Sequence, residues 1–359
     1  MRKKRTFKNL MVTGGCGFIG SNFVRYLFEN SDFQGKIINI DKLTYAGNPL
    51  SLNDIEQDYP DRYHFIRADI GDQKQMENIF VSHHIDGICH FAAESHVDRS
   101  ITSPDPFIQS NIIGTYKLLE TARNYYDQLS LFHHISTDEV FGSLDDTGFF
   151  TETSPYQPNS PYSASKASSD HLVRAYAETY NLPITISNCS NNFGPYQFPE
   201  KLIPLMMLNA LENKPLPIYG DGKNVRDWLY VTDHCRAIWT IMCESELGET
   251  FIIGGDAEKQ NKEVVECICD ILDRRSPLEG KNYKSLITHV RDRPGHDHRY
   301  AIDCTKLKQT FQWQPQESFE SGLEKTVQWY LDNKEWIDQV RTGVYREWIQ
   351  KHYYSASGF

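Results

Sequence analysis

Through its first 190 residues the chain alternates short apolar runs with longer segments whose apolar residues recur every three to four positions. A run at residues 10–13 comes first, and Ile19, Phe23 and Leu27 then fall on one face of a predicted helix. Further strands are predicted at residues 36–40, 63–68, 87–92, 131–136 and 183–189. This alternation predicts an α/β fold of the Rossmann type, a doubly wound parallel sheet with helices on both faces.

The pattern changes after about residue 190. Residues 193–199 and 215–220 are rich in Pro and Gly and lie between short helical patterns. We therefore expect a large lobe at residues 1–190 and a smaller, mixed α/β lobe at residues 191–359. Runs at residues 225–233 and 249–254 are interpreted as strands that return to the large lobe, which makes the expected boundary discontinuous.

Composition narrows the classes of function. The 37 Lys and Arg against 48 Asp and Glu give a net charge of -11, which disfavours binding to nucleic acid. No apolar run approaches the ~18 residues that a membrane span requires, so we expect no membrane segment. The eight cysteines lack the paired spacing of a zinc site, so we expect free thiols, no metal and a cytoplasmic location.

A glycine-rich segment follows the first strand, with Gly14, Gly17 and Gly20 in G-x-x-G-x-x-G spacing before the first helix. Glycines here let the backbone approach a pyrophosphate, whose charge is stabilised by N–H groups at the helix N-terminus. The second strand leads into Asp41, where a carboxylate binds ribose hydroxyls and repels a 2′-phosphate. These features predict a site for NAD rather than NADP.

Two later strand ends lie where the same cofactor would pass. Residues 91–95 end the fourth strand with mostly small side chains, and Asp69 ends the third strand, where it can meet the adenine edge. Asp69 could equally cap a helix that begins near Gln73, and the sequence leaves both interpretations open.

Tyr162 and Lys166 are four residues apart on a predicted helix and therefore share one face. A phenol with a pKa near 10 is a poor base, so the pKa of Tyr162 must fall by roughly three units to populate the phenolate at neutral pH. An adjacent lysine cation and a positively charged nicotinamide ring would lower it. Behind a dinucleotide loop, this pair predicts a catalytic base.

Thr137, Asp138 and Glu139 follow the fifth strand and should lie beside the nicotinamide. A simple dehydrogenase needs only a hydroxyl at this place. Of two adjacent carboxyl groups, one can remove a carbon-bound proton while the other, kept protonated by burial or by its neighbour, donates to a leaving hydroxyl. The pair favours elimination of water, and the alternative is that Asp138 caps the next turn while Glu139 faces water.

These motifs resemble the extended short-chain dehydrogenase/reductases and, among them, the dTDP-glucose 4,6-dehydratases. The resemblance extends from Met11 to about Trp329. The segments that carry it are residues 13–20, 41–44, 90–98, 136–142, 162–166, 191–204, 226–231 and 292–297. The departures are Cys16, where alanine is frequent, and Phe141 and Phe193, where tyrosine is frequent, and none of them removes a reacting group.

The resemblance implies a reaction on dTDP-glucose with retained NAD. Tyr162, helped by Thr137 and Lys166, would take the proton of the sugar 4-hydroxyl while the C4 hydride passes to the cofactor. Glu139 would then remove the C5 proton, and Asp138 would protonate the departing C6 hydroxyl. Return of the hydride to C6 would give a 4-keto-6-deoxy sugar.

The resemblance also implies which residues bind each ligand. Cofactor contacts would be made by Gly14, Gly17, Phe18, Ile19, Gly20, Asp41, Lys42, Leu43, Thr44, Asp69, Ile70, Phe91, Ala92, Ala93, Ser95, Ser110, Tyr162, Lys166 and Asn192. The sugar nucleotide, bound largely by the smaller lobe, would be contacted by Ser95, Thr137, Asn191, Glu200, Lys201, Leu202, Arg226, Asn261, Arg293 and His296. A homodimer formed through helices of the large lobe, including the helix that bears Tyr162, is implied as well.

Other functions remain open from the sequence. An epimerase or decarboxylase acting on a nucleotide sugar would use the same scaffold, although an epimerase has no use for both Asp138 and Glu139. A UDP-glucose 4,6-dehydratase differs in its substrate by one methyl group, which a binding site discriminates by only about 1–3 kcal/mol. A non-catalytic NAD sensor would need the glycine loop but not the tyrosine, the lysine and the acid pair.

Overall fold

The computed structural model describes residues 4–292 and 295–341. The strands in this part of the chain are β1 (Asn9–Thr13), β2 (Lys36–Asp41), β3 (Tyr63–Arg67), β4 (Gly87–His90), β5 (Leu131–Thr137), β6 (Ile184–Cys189), β7 (Asn191–Phe193), β8 (Leu216–Tyr219), β9 (Val225–Tyr230), β10 (Thr250–Ile253), β11 (Glu258–Gln260) and β12 (Ile287–Val290). The α-helices are α1 (Phe18–Glu29), α2 (Asn53–Asp58), α3 (Gln73–His83), α4 (Val97–Thr102), α5 (Asp105–Phe107), α6 (Thr115–Asn124), α7 (Pro161–Tyr180), α8 (Leu202–Leu211), α9 (Val231–Glu244), α10 (Asn261–Arg275), α11 (Thr305–Phe311), α12 (Phe319–Asp332) and α13 (Lys334–Val340). Among the described residues, none of the helices is both long enough and apolar enough to cross a membrane.

Seven parallel strands form the main sheet, in the order β10-β6-β5-β4-β1-β2-β3. Successive strand residues face opposite sides: Val12 packs in the cluster that contains α1 and α9, and Met11 packs with α3, α6 and α7. Apolar side chains on both faces are what a parallel sheet covered by helices requires. The predicted doubly wound Rossmann-type fold is therefore confirmed.

The rest of the chain builds a second, smaller core. Strands β7, β9 and β11 form a three-stranded sheet, and β8 pairs with β12. Helices α8, α10, α12 and α13 pack on these strands through buried residues such as Met207, Ile268 and Leu323. We propose residue 190 as the boundary between the lobes, because the strands on either side of it belong to different sheets.

The segment at residues 225–254 returns to the large lobe only in part. Strand β10 joins the edge of the main sheet beside β6, as predicted. The predicted strand at residues 225–233 was wrong in length and in place, because β9 lies in the three-stranded sheet and the chain becomes helical at Val231. Val231, Cys235, Ile238 and Met242 recur with helical spacing and are all buried, so α9 packs beside α1 on the main sheet.

Helix α7 carries the predicted tyrosine and lysine, and its start is fixed by local sequence. Ser160 is the N-cap, and it exchanges hydrogen bonds with Ser163 in a capping box. Pro161 occupies the first helical position, where its missing N–H costs nothing. The helix therefore begins at a defined residue, which sets the position of each side chain along it.

Candidate active site

A cleft runs along the carboxyl ends of the main-sheet strands, which is where open α/β sheets bind ligands. Most of the residues predicted for the site line this cleft. They are Gly14, Gly17, Phe18, Ile19, Gly20, Asp41, Lys42, Thr44, Asp69, Ile70, Phe91, Ala92, Ala93, Ser95, Ser110, Thr137, Asp138, Glu139, Tyr162, Lys166, Asn191, Asn192, Glu200 and Lys201.

The glycine loop is tightly packed at two of its three glycines. Gly14 has a left-handed φ of +71°, and a Cβ at this residue would lie 2.6 Å from the backbone nitrogen of Ala92. A Cβ on Gly20 would lie 2.3 Å from the carbonyl oxygen of Gly14. Helix α1 begins at Phe18, within this segment, and its first-turn residues Phe18, Ile19 and Gly20 line the cleft. A helix N-terminus at such a place is suited to bind an anion.

Asp41 and Asp69 end β2 and follow β3 in the same cleft. The Asp41 carboxylate accepts hydrogen bonds from the N–H groups of Cys16 (3.0 Å) and Leu43 (2.8 Å), which ties the glycine loop to β2. Asp69 accepts from the Gly71 N–H (2.8 Å) and lies 2.6 Å from Lys42 Nζ. The helix-capping interpretation of Asp69 is wrong, because Asp72 is the N-cap of α3.

Tyr162 and Lys166 lie on one face of α7 and line the cleft together, as their spacing predicted. Lys166 Nζ donates to the carbonyl oxygen of Ile135 at 2.8 Å. Burial, followed by the nearby Glu139, raises the pKa of Tyr162 well above its usual value. The hydrogen bond with Thr137 acts in the opposite direction and lowers this pKa. The combined effect of Lys166 and a nicotinamide ring on Tyr162 stays a prediction.

The acid pair lies in a short 3₁₀ turn, Asp138–Phe141, at the end of β5. Thr137, not Asp138, caps this turn by accepting from the Glu139 N–H (3.2 Å), and its hydroxyl also donates to Asp138 Oδ1 (3.2 Å). Asp138 is 2% exposed, and burial together with Glu139 raises its pKa well above the usual value. Asp138 is therefore set up as a neutral acid beside a second carboxyl group, and both line the cleft.

Glu200 and Lys201 connect the smaller lobe to the far end of the cleft. Lys201 Nζ donates to the Ser95 carbonyl oxygen at 2.9 Å, and Tyr45 donates its hydroxyl to Glu200 Oε1 at 2.8 Å. Burial raises the pKa of Glu200 to about 7, and the nearby Lys201 opposes this. These contacts bring the two lobes together over the cleft.

Several predicted binding residues do not line the cleft. Leu43 supplies the backbone N–H bonded to Asp41, and Leu202 packs into the smaller core at the start of α8. Arg226 donates to the carbonyl oxygens of Val225 (2.7 Å) and Asp297 (3.0 Å), and its charge acts on Asp138, whose pKa it lowers.

Asn261 and His296 are also absent from the cleft lining. Asn261 begins α10, where its N–H donates to the Asn224 carbonyl oxygen. His296 Nδ1 lies 2.6 Å from Asp292 Oδ1. Arg293 lies outside the described residues.

Sequence reasoning missed several side chains that line the cleft or orient its lining. Glu94, Gln197 and Phe198 line it and lie in segments that carry the resemblance, whereas Cys189 lines it at the end of β6, outside those segments. His234 is fully buried on α9, and its Nδ1 lies 2.9 Å from Asn192 Oδ1. A buried histidine some forty residues from its partner has no local signal in the sequence.

The fold and the cleft have close counterparts among known proteins. The family model described as GDP-mannose 4,6 dehydratase matches residues 11–326. The dTDP-glucose 4,6-dehydratase 1 of Escherichia coli K12 is 56% identical over 360 residues, covering 96% of this chain and 98% of that protein. A dTDP-glucose 4,6-dehydratase of Neisseria meningitidis is 55% identical and covers 94% of this chain and 98% of that protein.

The chain belongs to this dehydratase family. A dTDP-glucose 4,6-dehydratase from Bacillus anthracis, solved in complex with NAD, is 48% identical with a TM-score of 0.83, covering 93% of this chain and 99% of that one. A second dTDP-glucose 4,6-dehydratase, from Streptomyces venezuelae with NAD and TYD bound, is 44% identical with a TM-score of 0.86. The match covers 92% of this chain and 99% of that one. A UDP-glucose 4-epimerase from Thermotoga maritima is 30% identical with a TM-score of 0.81, covering 91% and 99%, so the family fold hosts more than one reaction.

The glycine loop provides a direct test of the cofactor site. Gly14→Ala should leave the protein folded but strip it of bound dinucleotide, because the new Cβ must displace the Ala92 backbone and change the shape of the cradle. Cofactor released by acid from purified protein, measured per chain, should fall at least about tenfold.

Gly248→Ala is the matched control. Gly248 is also left-handed, with a φ of +83°, but a Cβ there meets nothing within 4 Å. It should cost a similar backbone strain and keep full cofactor content, and equal cofactor content in both variants would contradict the assignment of the loop.

Proposed function

We propose that the protein is a dTDP-glucose 4,6-dehydratase that retains NAD and converts dTDP-glucose to the 4-keto-6-deoxy sugar with loss of water. The observation that carries the proposal is the acid pair at the end of β5, buried Asp138 and partly buried Glu139, which lines the cleft together with Tyr162 and Lys166. The four dTDP-glucose 4,6-dehydratases named above support the same substrate.

The cleft suits NAD in both shape and charge. Gly14 and Gly20 let the loop pack closely against the Ala92 backbone and against itself, which gives the tight turn of a pyrophosphate-binding loop. Asp41 supplies a carboxylate at the end of β2 for ribose hydroxyls. When bound, NAD⁺ accepts a hydride from C4, returns it to C6, and brings a positive ring that favours the Tyr162 phenolate. The carboxylate of Asp41 would repel the additional phosphate of NADP.

Oxidation at C4 needs a base, and Tyr162 holds that position. Its phenolate takes the proton of the sugar 4-hydroxyl and becomes the neutral phenol, and Lys166 stabilises the phenolate before the transfer. The Thr137 hydroxyl completes the proton-sharing set, and its position is fixed by its contacts with Asp138 and the Glu139 N–H. Burial raises the pKa of Tyr162 and so disfavours its phenolate. Formation of the phenolate therefore depends on the positive ring of the bound cofactor.

Elimination of water from the sugar requires two carboxyl side chains of the protein, one ionised to act as base and one protonated to act as acid. Asp138 is the buried member, and the rise in its pKa favours the neutral acid, which can protonate the departing C6 hydroxyl. Glu139 is the more accessible member and acts as the base that removes the C5 proton, which the adjacent ketone has made acidic. An epimerase scaffold of the same family has no step that uses this pair.

The two acids can be separated by isotope and absorbance measurements in D₂O. With dTDP-glucose and no added NAD, the wild type should give a product lighter by one water that carries deuterium at C5. Glu139→Gln should still reduce the bound nicotinamide but lose C5 deuteration by at least about 10²-fold, because the base is gone. Asp138→Asn should exchange the C5 proton yet release water slowly.

The controls decide between the competing reactions. Absence of dehydrated product from the wild type would contradict the proposed function and favour an epimerase or a decarboxylase. Equal turnover of UDP-glucose would contradict the choice of thymine over uracil. Normal C5 deuteration by Glu139→Gln would show that another residue removes that proton.

We also propose a homodimer formed through the face of the large lobe that carries α4, α6 and α7. These helices and the segment Ile108–Gly114 before α6 carry exposed apolar side chains: Ile101, Ile108, Ile113, Tyr116 and Tyr180 are 36–44% exposed. Tyr180 belongs to the helix that bears Tyr162, so a second copy packed on this face would support the catalytic helix. Exposed apolar groups of this kind mark association surfaces on folded proteins.

The dimer can be tested by light scattering. Ile113→Glu combined with Tyr116→Glu should halve the measured mass from twice 41.6 kDa to that of one chain, because carboxylates would be buried at the interface. Leu247→Glu places the same charge on a 51% exposed residue outside this face and should remain dimeric. A monomeric wild type, or a dimeric double variant, would contradict the proposal.

We propose a cytoplasmic location on the chemistry of the thiols. All eight cysteines are free, and seven of them are buried. A chain with this many unpaired thiols suits a reducing compartment.

A further inference from the structure

Helix α7 carries a third ionisable side chain, Asp170, on the face that bears Tyr162 and Lys166. Asp170 follows Lys166 by four residues, so the three side chains lie in one row. Tyr162 and Lys166 line the cleft, whereas Asp170 is 0% exposed and lies beneath it, against β5 and β6. The proposed reaction gives no role to Asp170, so the reaction itself does not explain why a carboxylate is fully buried here.

Asp170 receives an unusual number of donors for one side chain. Its Oδ2 accepts from Ser136 Oγ (2.8 Å), the Tyr156 hydroxyl (2.8 Å) and Asn188 Nδ2 (3.2 Å). His134 Nε2 lies 3.1 Å from Oδ1. Burial of a carboxylate costs several kcal/mol unless it is paired in this way, so the network favours the ionised form.

The same network reaches the end of β5 that bears the catalytic hydroxyl. Asn188 Nδ2 donates both to Asp170 and to the Thr137 carbonyl oxygen, the latter at 3.1 Å. Ser136, which donates to Asp170, directly precedes Thr137. Asp170 therefore fixes the backbone on which Thr137 and the acid pair are mounted.

We propose that Asp170 is a positioning residue for the reaction, which balances the buried charge of Lys166 and holds the end of β5 in register with α7. This inference rests on the proposed function. Burial lowers the pKa of Lys166, and Asp170 is the largest contribution that opposes this. Burial alone would raise the pKa of Asp170, but His134 and Lys166 bring it below the usual value.

The other titratable groups around Lys166 do not supply a negative charge. His90 on β4 and His134 on β5 are both buried, and burial lowers the pKa of each, that of His134 to about 4, so both are neutral near pH 7. Burial raises the pKa of the Cys189 thiol on β6, which keeps it protonated. Tyr162 on α7 has its pKa raised, and Arg174, farther along α7, donates to the Tyr156 hydroxyl rather than to Asp170.

The sign of the expected pH effect follows from this arrangement. Without the Asp170 charge the pKa of Lys166 falls further, so Lys166 loses its proton at a lower pH and its assistance to Tyr162 ends earlier. The alkaline limb of the kcat profile should therefore move to lower pH in Asp170→Asn, by about one unit, because Asp170 lies one helical turn from Lys166. At the wild-type optimum kcat should fall at least about tenfold, while KM for dTDP-glucose changes little.

Asp233→Asn is the matched control. Asp233 is another buried carboxylate, 2% exposed, on α9. It accepts hydrogen bonds from the N–H groups of Gln316 and Glu317, which are not part of the Asp170 network. Its replacement should lower stability without moving the pH profile. NAD content and thermal unfolding, measured for both variants, separate a folding defect from the proposed effect.

A second variant covers the case in which Asp170→Asn does not fold. Asn188→Ala keeps the Asp170 charge but cuts its link to Thr137, so kcat should fall with an unmoved alkaline limb and unchanged NAD content. Full kcat in Asn188→Ala, or a wild-type alkaline limb in folded, NAD-loaded Asp170→Asn, would overturn the inference. Wild-type protein that forms no dehydrated product would instead overturn the proposed function.

Discussion

Burial of ionisable groups at the end of β5 is the constraint on which the rest of this site depends. Asp138, Tyr162 and Lys166 are each less than 10% exposed, and burial disfavours the charged form of all three. For Asp138 that is useful, because the proposed step needs a neutral acid. For Tyr162 and Lys166 burial disfavours the charged forms that the proposed reaction uses. In the proposed mechanism the positive cofactor ring favours the Tyr162 phenolate, and the buried carboxylate of Asp170 favours the Lys166 cation.

The fold places these groups by joining one strand to one helix. Strand β5 lies inside the parallel sheet, and α7 begins at a capping box that fixes where its side chains point. Because parallel strands end at the same edge, the glycine loop, Asp41 and the acid pair all meet in one cleft although they are distant in sequence. The smaller lobe then closes one end through Lys201 and Glu200.

Much of this arrangement could be predicted from local patterns. The alternation of strands and helices located the main sheet, and the glycine spacing located the loop, because both depend on residues near one another in the chain. The strand at residues 225–233 was misplaced because two lobes share that segment, and apolar spacing alone does not say which sheet a strand joins. The sequence left capping open for Asp69 and Asp138, because Asp72 and Thr137, a few residues away, can cap the same turns and do so in the structure.

The electrostatics of the site could not be predicted in the same way. Asp170, His134 and Asn188 come from three elements and interact only after the sheet has formed. Arg226 looks like a free cation in the sequence, yet its guanidinium donates to backbone carbonyls and lies 4.2 Å over the ring of Tyr300. Charge and burial depend on the whole fold, so motifs identify the reacting groups but not their protonation states.

The central claim is that Asp138 is a protonated acid at neutral pH while its neighbour acts as the base. Infrared difference spectra of the NAD-loaded enzyme, wild type minus Asp138→Asn, test it most directly. The account predicts a protonated-carboxyl stretching band in the wild type at pH 7 that is missing from the variant. A carboxylate band in its place would contradict the assignment of Asp138 as the proton donor.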